Sequence, residues 1–240
     1  MKLIPRFFGA PRRIFLQGAD GFAADYDTLM KTAELIHRHV PSVETIGGYA
    51  RIDNFIGKSE EQIRNLHEAG FENPYIGVES GDDAILAMTR KGYDAATARA
   101  VMEKITRAGM PFIANFLNGI GGAGYGLSHA RKTAAIYEGM NISMIEVSSL
   151  TLIDKTVLAQ RKLRGEFTEA GEIERLREMQ EFIRCLTNSL VFLSDHISVP
   201  FSCRVRLPEA RDELIAGIDR IIAEAGEEKL RAFRDANPLM

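Results

Sequence analysis

Five short apolar runs in this chain each lead into residues that bond ligands. The first is followed by Gln17, Gly18, Ala19, Asp20 and Gly21, and the second by Tyr49, Arg51 and Asp53. Glu79, Ser80, Gly81 and Asp82 follow the third; Asn118, Gly119, Gly121 and Gly122 follow the fourth. The fifth carries Glu146, Ser148, Ser149 and Thr151 near its end. A carboxylate accepts hydrogen bonds from an ammonium or a diol, and a hydroxyl both donates and accepts. Glycines let a backbone approach a flat ligand, and they equally suit tight turns. Singly, each cluster reads as an ordinary polar turn. Together they point to a small-molecule site if the runs are strands of one parallel sheet, because such sheets bind ligands beyond their carboxyl edge.

Other chemistries lack the spacing they need. The glycine stretch 119–126 has no Lys-Ser or Lys-Thr after it, and it lacks the acidic residue of a dinucleotide fingerprint. His37, His39, His67, His129 and His196 form no HxxxH or HExxH pattern for zinc. They read as surface or locally bonded residues. There is no G-x-S-x-G elbow, and neither cysteine sits in a hydrolase motif. Nucleophilic acyl transfer is not indicated.

The elements that must position these groups follow from periodicity. The apolar runs begin near residues 13, 43, 74, 111 and 143, about thirty residues apart, with an amphipathic stretch after each. This is the spacing of βαβ units in a parallel sheet. The runs are Arg13–Leu16, 43–48, 74–78, 111–117 and 143–150. Asp25 or Asp27 caps a helix ended by Pro41. Ser59 and Gln62 form a capping box, with Gly70 at the left-handed end of that helix. Residues 83–88 form a short helix. Asp94 caps another with Val101, Met102 and Ile105 inward, and a further helix runs over 128–137. Residues 169–193 give one long helical pattern and 196–201 an irregular or short-strand segment. Pro208 opens a final helix through about Ala225. Five units are too few for a closed eight-stranded barrel. The fold class is therefore α/β: a partial TIM-type parallel (β/α) barrel of about five βα units with a helical C-terminal extension. Its boundaries are a core over residues 1–153 and an extension over 154–240 packed on it.

Composition agrees with a globular protein. The chain has 240 residues, with 45% hydrophobic and 26% charged. The formal charge of −3 gives no reason to expect bulk nucleic-acid or anionic-membrane binding. Two cysteines, Cys185 and Cys203, are no disulfide framework and read as free thiols of a reducing compartment. Pro5, Arg6, Pro11, Arg12 and Arg13 break any signal-peptide apolar region, and no apolar run reaches a membrane span. The expectation is a soluble, cytoplasmic protein acting on a small molecule or other unknown substrate, with no membrane partner.

The motifs in combination resemble the later part of the radical S-adenosylmethionine (SAM) superfamily core, from about residue 13 to 152. The likeness continues more loosely to 219, through an uncharacterised subgroup with a similar tail at Arg206-Leu207-Pro208-Glu209-Ala210-Arg211. Arg13 to Asp20 resembles the family's second strand and GGE-type turn. Gly18 and Ala19 stand at its small positions and Asp20 at its acidic one, which implies contact with the methionyl amino group of SAM. Val43 to Arg51 is similar to the third strand. Tyr75-Ile76-Gly77-Val78-Glu79-Ser80-Gly81 matches the fourth-strand I-G-[LV]-E-S-G pattern, placing Glu79 and Ser80 near the ribose and the methionine carboxylate. Phe116 to Gly122 resembles the glycine motif under the adenine, and 145–150 the sixth strand. The resemblance implies SAM as cofactor, bound by Gly18, Asp20, Arg51, Glu79, Ser80, Asn118, Gly119 and Gly121. Arg51 and Asn118 would help orient it.

One part of the family pattern is missing. Radical SAM chemistry needs a [4Fe–4S] cluster held by a CxxxCxxC loop, and this sequence has none. The resemblance thus implies cluster binding only in a full-length form, this chain being truncated, started late or degenerate. In full-length form the protein would generate a 5′-deoxyadenosyl radical and abstract hydrogen from an unknown substrate. The alternative is a non-catalytic SAM- or nucleoside-binding or regulatory module. A third reading is a cluster-independent barrel enzyme using Glu79, Arg51 and Asp20 in acid–base chemistry. Loss of the family's first strand would leave Arg13–Leu16 as an exposed edge through which the chain self-associates.

Overall fold

The computed structural model describes residues 10–237. Seven strands lie in chain order in one open sheet, β1-β2-β3-β4-β5-β6-β7. They are Arg13–Leu16 (β1), Thr45–Arg51 (β2), Tyr75–Glu79 (β3), Phe112–Asn118 (β4), Ile142–Ser149 (β5), Leu190–Ser194 (β6) and Cys203–Leu207 (β7). β1 runs parallel to β2, β2 to β3, and β5 to β6, whereas β7 is antiparallel to β6. The helices are Tyr26–His39 (α1), Asp53–Ile56 (α2), Glu60–Glu68 (α3), Asp83–Met88 (α4), Ala95–Arg107 (α5), Gly126–Tyr137 (α6), Val157–Leu163 (α7), Glu172–Cys185 (α8) and Arg211–Ala236 (α9). This is an α/β fold with a mostly parallel, unclosed sheet and a helical C-terminus, as the periodicity predicts. The chain divides into two compact units. The first holds the chain up to Gly77 with Ala100–Ala114; the second holds Val78–Arg99 with the chain from Asn115 onward.

In the first unit, local signals set the element ends. Asp25 caps α1 by accepting from Thr28 N at 2.8 Å. Ser59 and Gln62 close the predicted capping box on α3, and Gly70 follows it at φ +95°. A substitution of such a cap costs about 1 kcal/mol. β2 pairs in register with β1 from Arg13↔Thr45 to Leu16↔Gly48. Phe22, Phe55 and Phe71 are fully buried, with ring centroids 5.8 Å and 5.5 Å from Phe22.

In the second unit, α6 and α9 both pack against α8. α8 is amphipathic in an unusual way, because Glu172, Arg175, Glu178 and Gln180 are buried along with Leu176, Met179 and Phe182. Phe182 stacks on Phe116 with centroids 3.8 Å apart. The helical pattern read over 169–193 ends at Cys185, and residues 190–194 form β6 instead. That short apolar run is buried beside β5, and the intervening Asn188 donates to the Tyr137 and Met140 carbonyls. Of the two readings of residues 196–201, irregular or short strand, the irregular one holds, and β7 begins after it. α9 breaks at Gly226, whose φ of +70° leaves the helical region beside the predicted end at Ala225. Among the described residues, no helix is long and apolar enough to cross a membrane.

Candidate functional site

The predicted groups of the first unit stand at the ends of β1 and β2. Gly18 lies in the turn after β1 at φ +112°. Asp20 comes next, part-buried, its Oδ2 accepting from Asn54 Nδ2 at 3.1 Å. Its other oxygen, Oδ1, is buried and has no hydrogen-bond partner. Arg51 ends β2; its Nε and Nη2 donate to the two Asp53 carboxylate oxygens at 2.8 and 3.0 Å. Asn54 also accepts from Arg51 N at 2.6 Å, so one asparagine ties Asp20 to the end of β2. Lys58 is buried close by and donates to the Ala24 and Asn54 carbonyls. Burial pushes its ammonium below the usual lysine range, against the pull of Asp25 and Asp20. The Tyr75 hydroxyl in this unit is likewise buried without a partner, and the sequence reading did not single it out.

The predicted groups of the second unit are more deeply built in. Glu79 ends β3 with φ +68°, a left-handed conformation uncommon outside glycine. Its Oε1 accepts from Lys91 Nζ at 3.0 Å. Ser80 is fully buried, and its hydroxyl accepts from Asp82 N at 2.9 Å, shaping the turn. At Gly81 a β-carbon would sit 2.3 Å from the Lys132 carbonyl oxygen, so only glycine fits there. Asp82 caps α4 and pairs with Lys132 at 2.6 Å. Burial would raise its carboxyl, but the Lys132 hydrogen bond and the Ala84 N–H together hold it below the ordinary range. Asn118 ends β4, buried, with its Oδ1 lacking any partner. Gly119 and Gly121 follow, and Gly121 lines a cleft of about 580 Å³ with Ile85, Met88, Tyr125, Arg161 and Phe167. On β5, burial and the nearby Asp195 push the Glu146 carboxyl upward.

His129 and Glu178, neither expected at a site from the sequence, hold this second set in place. His129 and Glu178 are buried and 2.5 Å apart, Nδ1 to Oε1. The other imidazole nitrogen faces the Glu79 carbonyl at 3.2 Å, and the other Glu178 oxygen accepts from Gly119 N at 2.9 Å. Each ring nitrogen therefore faces an oxygen, one of a side chain and one of the backbone. Phe116 stacks on the ring at 5.0 Å. The turn after β3 and the glycine loop after β4 thus share one buried histidine–glutamate pair. The expectation of a surface or locally bonded histidine is corrected at His129: its partner lies 49 residues away, a distance no local pattern reveals. Arg175 is also buried, against Gly119, donating to the Ala170 and Leu150 carbonyls and to Glu169.

Chemically, the buried oxygens of Asp20 and Asn118 are acceptors that no protein donor reaches. A buried unsatisfied acceptor costs about 1–3 kcal/mol. At each of the two positions, an ammonium, an amine or a hydroxyl of a ligand would remove that cost. The residues do not fit an iron–sulfur cluster. Among the described residues no three His, Cys, Asp or Glu side chains gather to hold a metal. Cys185 lies on α8 and Cys203 on β7, and burial pushes both thiols upward, away from the thiolate a cluster needs.

The model of the Radical SAM superfamily matches residues 3–135 of this chain. Among solved structures, the chain is similar to Elp3 of the archaeon Methanocaldococcus infernus with residues 1–46 deleted, at 13% identity and a TM-score of 0.62. The match covers 94% of this chain and 57% of that one, so the chain spans just over half the length of this relative. It is similar also to methylornithine synthase PylB, at 12% identity, covering 94% of this chain and 72% of that one with a TM-score of 0.49. The radical SAM methyltransferase TsrM of Kitasatospora setae, solved with cobalamin and a [4Fe–4S] cluster bound, aligns at 16% identity over 62% of this chain and 31% of its own, with a TM-score of 0.49. No curated protein sequence matches.

Proposed function

The chain belongs to the radical SAM superfamily, and on that premise we propose that it binds S-adenosylmethionine. The observation that carries this reading is that Asp20 and Asn118, both expected to meet SAM, each keep a buried oxygen without a donor. Asp20 Oδ1 takes the methionyl ammonium. Glu79, already neutralised at one oxygen by Lys91, takes the ribose hydroxyls. Asn118 Oδ1 accepts from the nucleoside, with Gly119 and Gly121 beneath it. Gly18 supplies the turn that presents Asp20, Ser80 the turn that presents Glu79, and Arg51 orients the carboxylate end. Nothing else is asked of these residues than to bind and to orient.

The superfamily reaction, reductive cleavage of SAM to a 5′-deoxyadenosyl radical that abstracts hydrogen, requires three cluster thiolates. The residues of this chain supply no such set, so radical chemistry is proposed only for a protein that brings those thiolates from elsewhere. On its own the chain is a SAM-binding module. Isothermal titration of the purified chain with SAM tests this. One-to-one saturable binding is expected, weakened about tenfold or more by Asp20→Asn or Asn118→Leu, since each removes an acceptor from a charged or amine donor. Equal affinity in both variants, or no heat of binding, would overturn it.

A further inference from the structure

The cleft beside Gly121 carries an unbalanced charge that the SAM reading does not use. Its volume, about 580 Å³, is that of a small-molecule pocket. Ile85, Met88 and Phe167 give it apolar walls, and Tyr125 stands half-exposed at its rim. Arg161 of α7 lines the same cleft. The one carboxylate lining it, Glu166, is already occupied: Arg164 donates to its two oxygens at 2.6 and 3.0 Å. Arg161 Nε lies 3.6 Å from Glu166, beyond hydrogen-bond length, and is buried without a partner. Two guanidinium groups thus face one carboxylate, and the Arg161 Nε–H is left without a hydrogen-bond acceptor beside an apolar wall. A guanidinium in that state is matched by a second carboxylate, bound through two parallel N–H···O bonds.

We propose that this cleft binds an organic carboxylate with an apolar body of about one aromatic ring, its carboxylate on Arg161 and its body against Ile85, Met88 and Phe167. Arg161, Met88 and Phe167 belong to none of the groups assigned to SAM; Gly121 alone is common to both. The carboxylate has two sources, a separate substrate or the methionine end of SAM itself, and the inference commits to the separate molecule.

The probe is 3-phenylpropionate, titrated into the whole chain by protein-observed NMR, with 3-phenylpropionamide as the neutral control. The acid is expected to bind with a dissociation constant of about 1 mM, as befits a ligand of its size, and the amide much more weakly. Arg161→Gln is expected to weaken the acid about tenfold or more while leaving thermal unfolding and SAM affinity unchanged, and Arg161→Lys to fall between. Saturating SAM is expected to leave the acid bound. Equal binding of acid and amide, an unaffected Arg161→Gln variant, absence of binding, or displacement of the acid by SAM would each overturn the inference. Because SAM affinity is read in the same variants, failure here and failure of the SAM reading remain separate results.

Discussion

The end of β2 in the first unit is fastened by near neighbours, whereas the turns after β3 and β4 in the second are fastened by a buried pair of distant residues. In the first, Arg51 is exposed and held by Asp53 and Asn54, two and three residues on. Helix α1 is capped three residues away, and α3 closes its own capping box. In the second, the turn after β3 and the loop after β4 meet at His129 and Glu178, 49 residues apart and both buried. Exposed polar pairs contribute little each, because water competes for both partners. A buried pair contributes little net as well, yet removing one member strands the other in a low dielectric. The first construction is therefore tolerant and the second brittle.

Substitutions in the buried pair sharpen this contrast most. Glu178→Leu leaves the His129 imidazole and Gly119 N–H without an acceptor and is expected to cost about 3–5 kcal/mol. The double variant His129→Leu with Glu178→Leu should recover much of that loss. Urea unfolding reads both as shifts in midpoint at constant slope. A single-variant cost below that of an exposed pair would break the comparison. Next in size is Gly81→Ala, whose β-carbon would overlap the Lys132 carbonyl oxygen at 2.3 Å, with an expected loss of about 1–3 kcal/mol or more. Ser59→Ala, the counterpart in the first unit, should cost only about 1 kcal/mol by thermal unfolding, because a single cap bond is lost to solvent.

The smallest effect is on pH dependence. The Asp82 carboxyl is held low in the folded protein, so its contribution is complete above the ordinary carboxylate range and is lost as pH falls through the depressed folded value. The Lys132 ammonium is held high by Asp82, so its share is present below the usual lysine range and lost as pH rises through the raised value. Lys132→Met should therefore flatten the acid limb of a stability-against-pH curve and the alkaline one. An unchanged curve would show that the pair is screened away.

The same contrast decides what could be read in the residues alone. β1, the caps at Ser59, Asp94 and Asp25 (the last from the pair Asp25 or Asp27), and the helices they open stand where short-range pattern puts them, because a cap and its helix share one turn of chain. The candidate site residues Asp20, Glu79 and Asn118 stand out in the sequence as polar groups closing apolar runs. Their supports do not. Glu178 and Arg175 look like the solvated face of a charged helix, and only the fold turns that face inward. β6 was hidden because nothing between Cys185 and Leu193 breaks a helical pattern as Pro or Gly would. β7 did carry a signal, the alternation Cys203-Arg204-Val205-Arg206-Leu207, whose two arginines are exposed.

The central proposal is that this member of the radical SAM superfamily binds SAM with Asp20 and Asn118 as acceptors. A crystal structure of the chain grown with SAM tests it most directly. The account predicts one SAM molecule with its ammonium within hydrogen-bond distance of Asp20 Oδ1 and a nucleoside donor on Asn118 Oδ1. SAM bound elsewhere, with both oxygens still unpartnered, would contradict it.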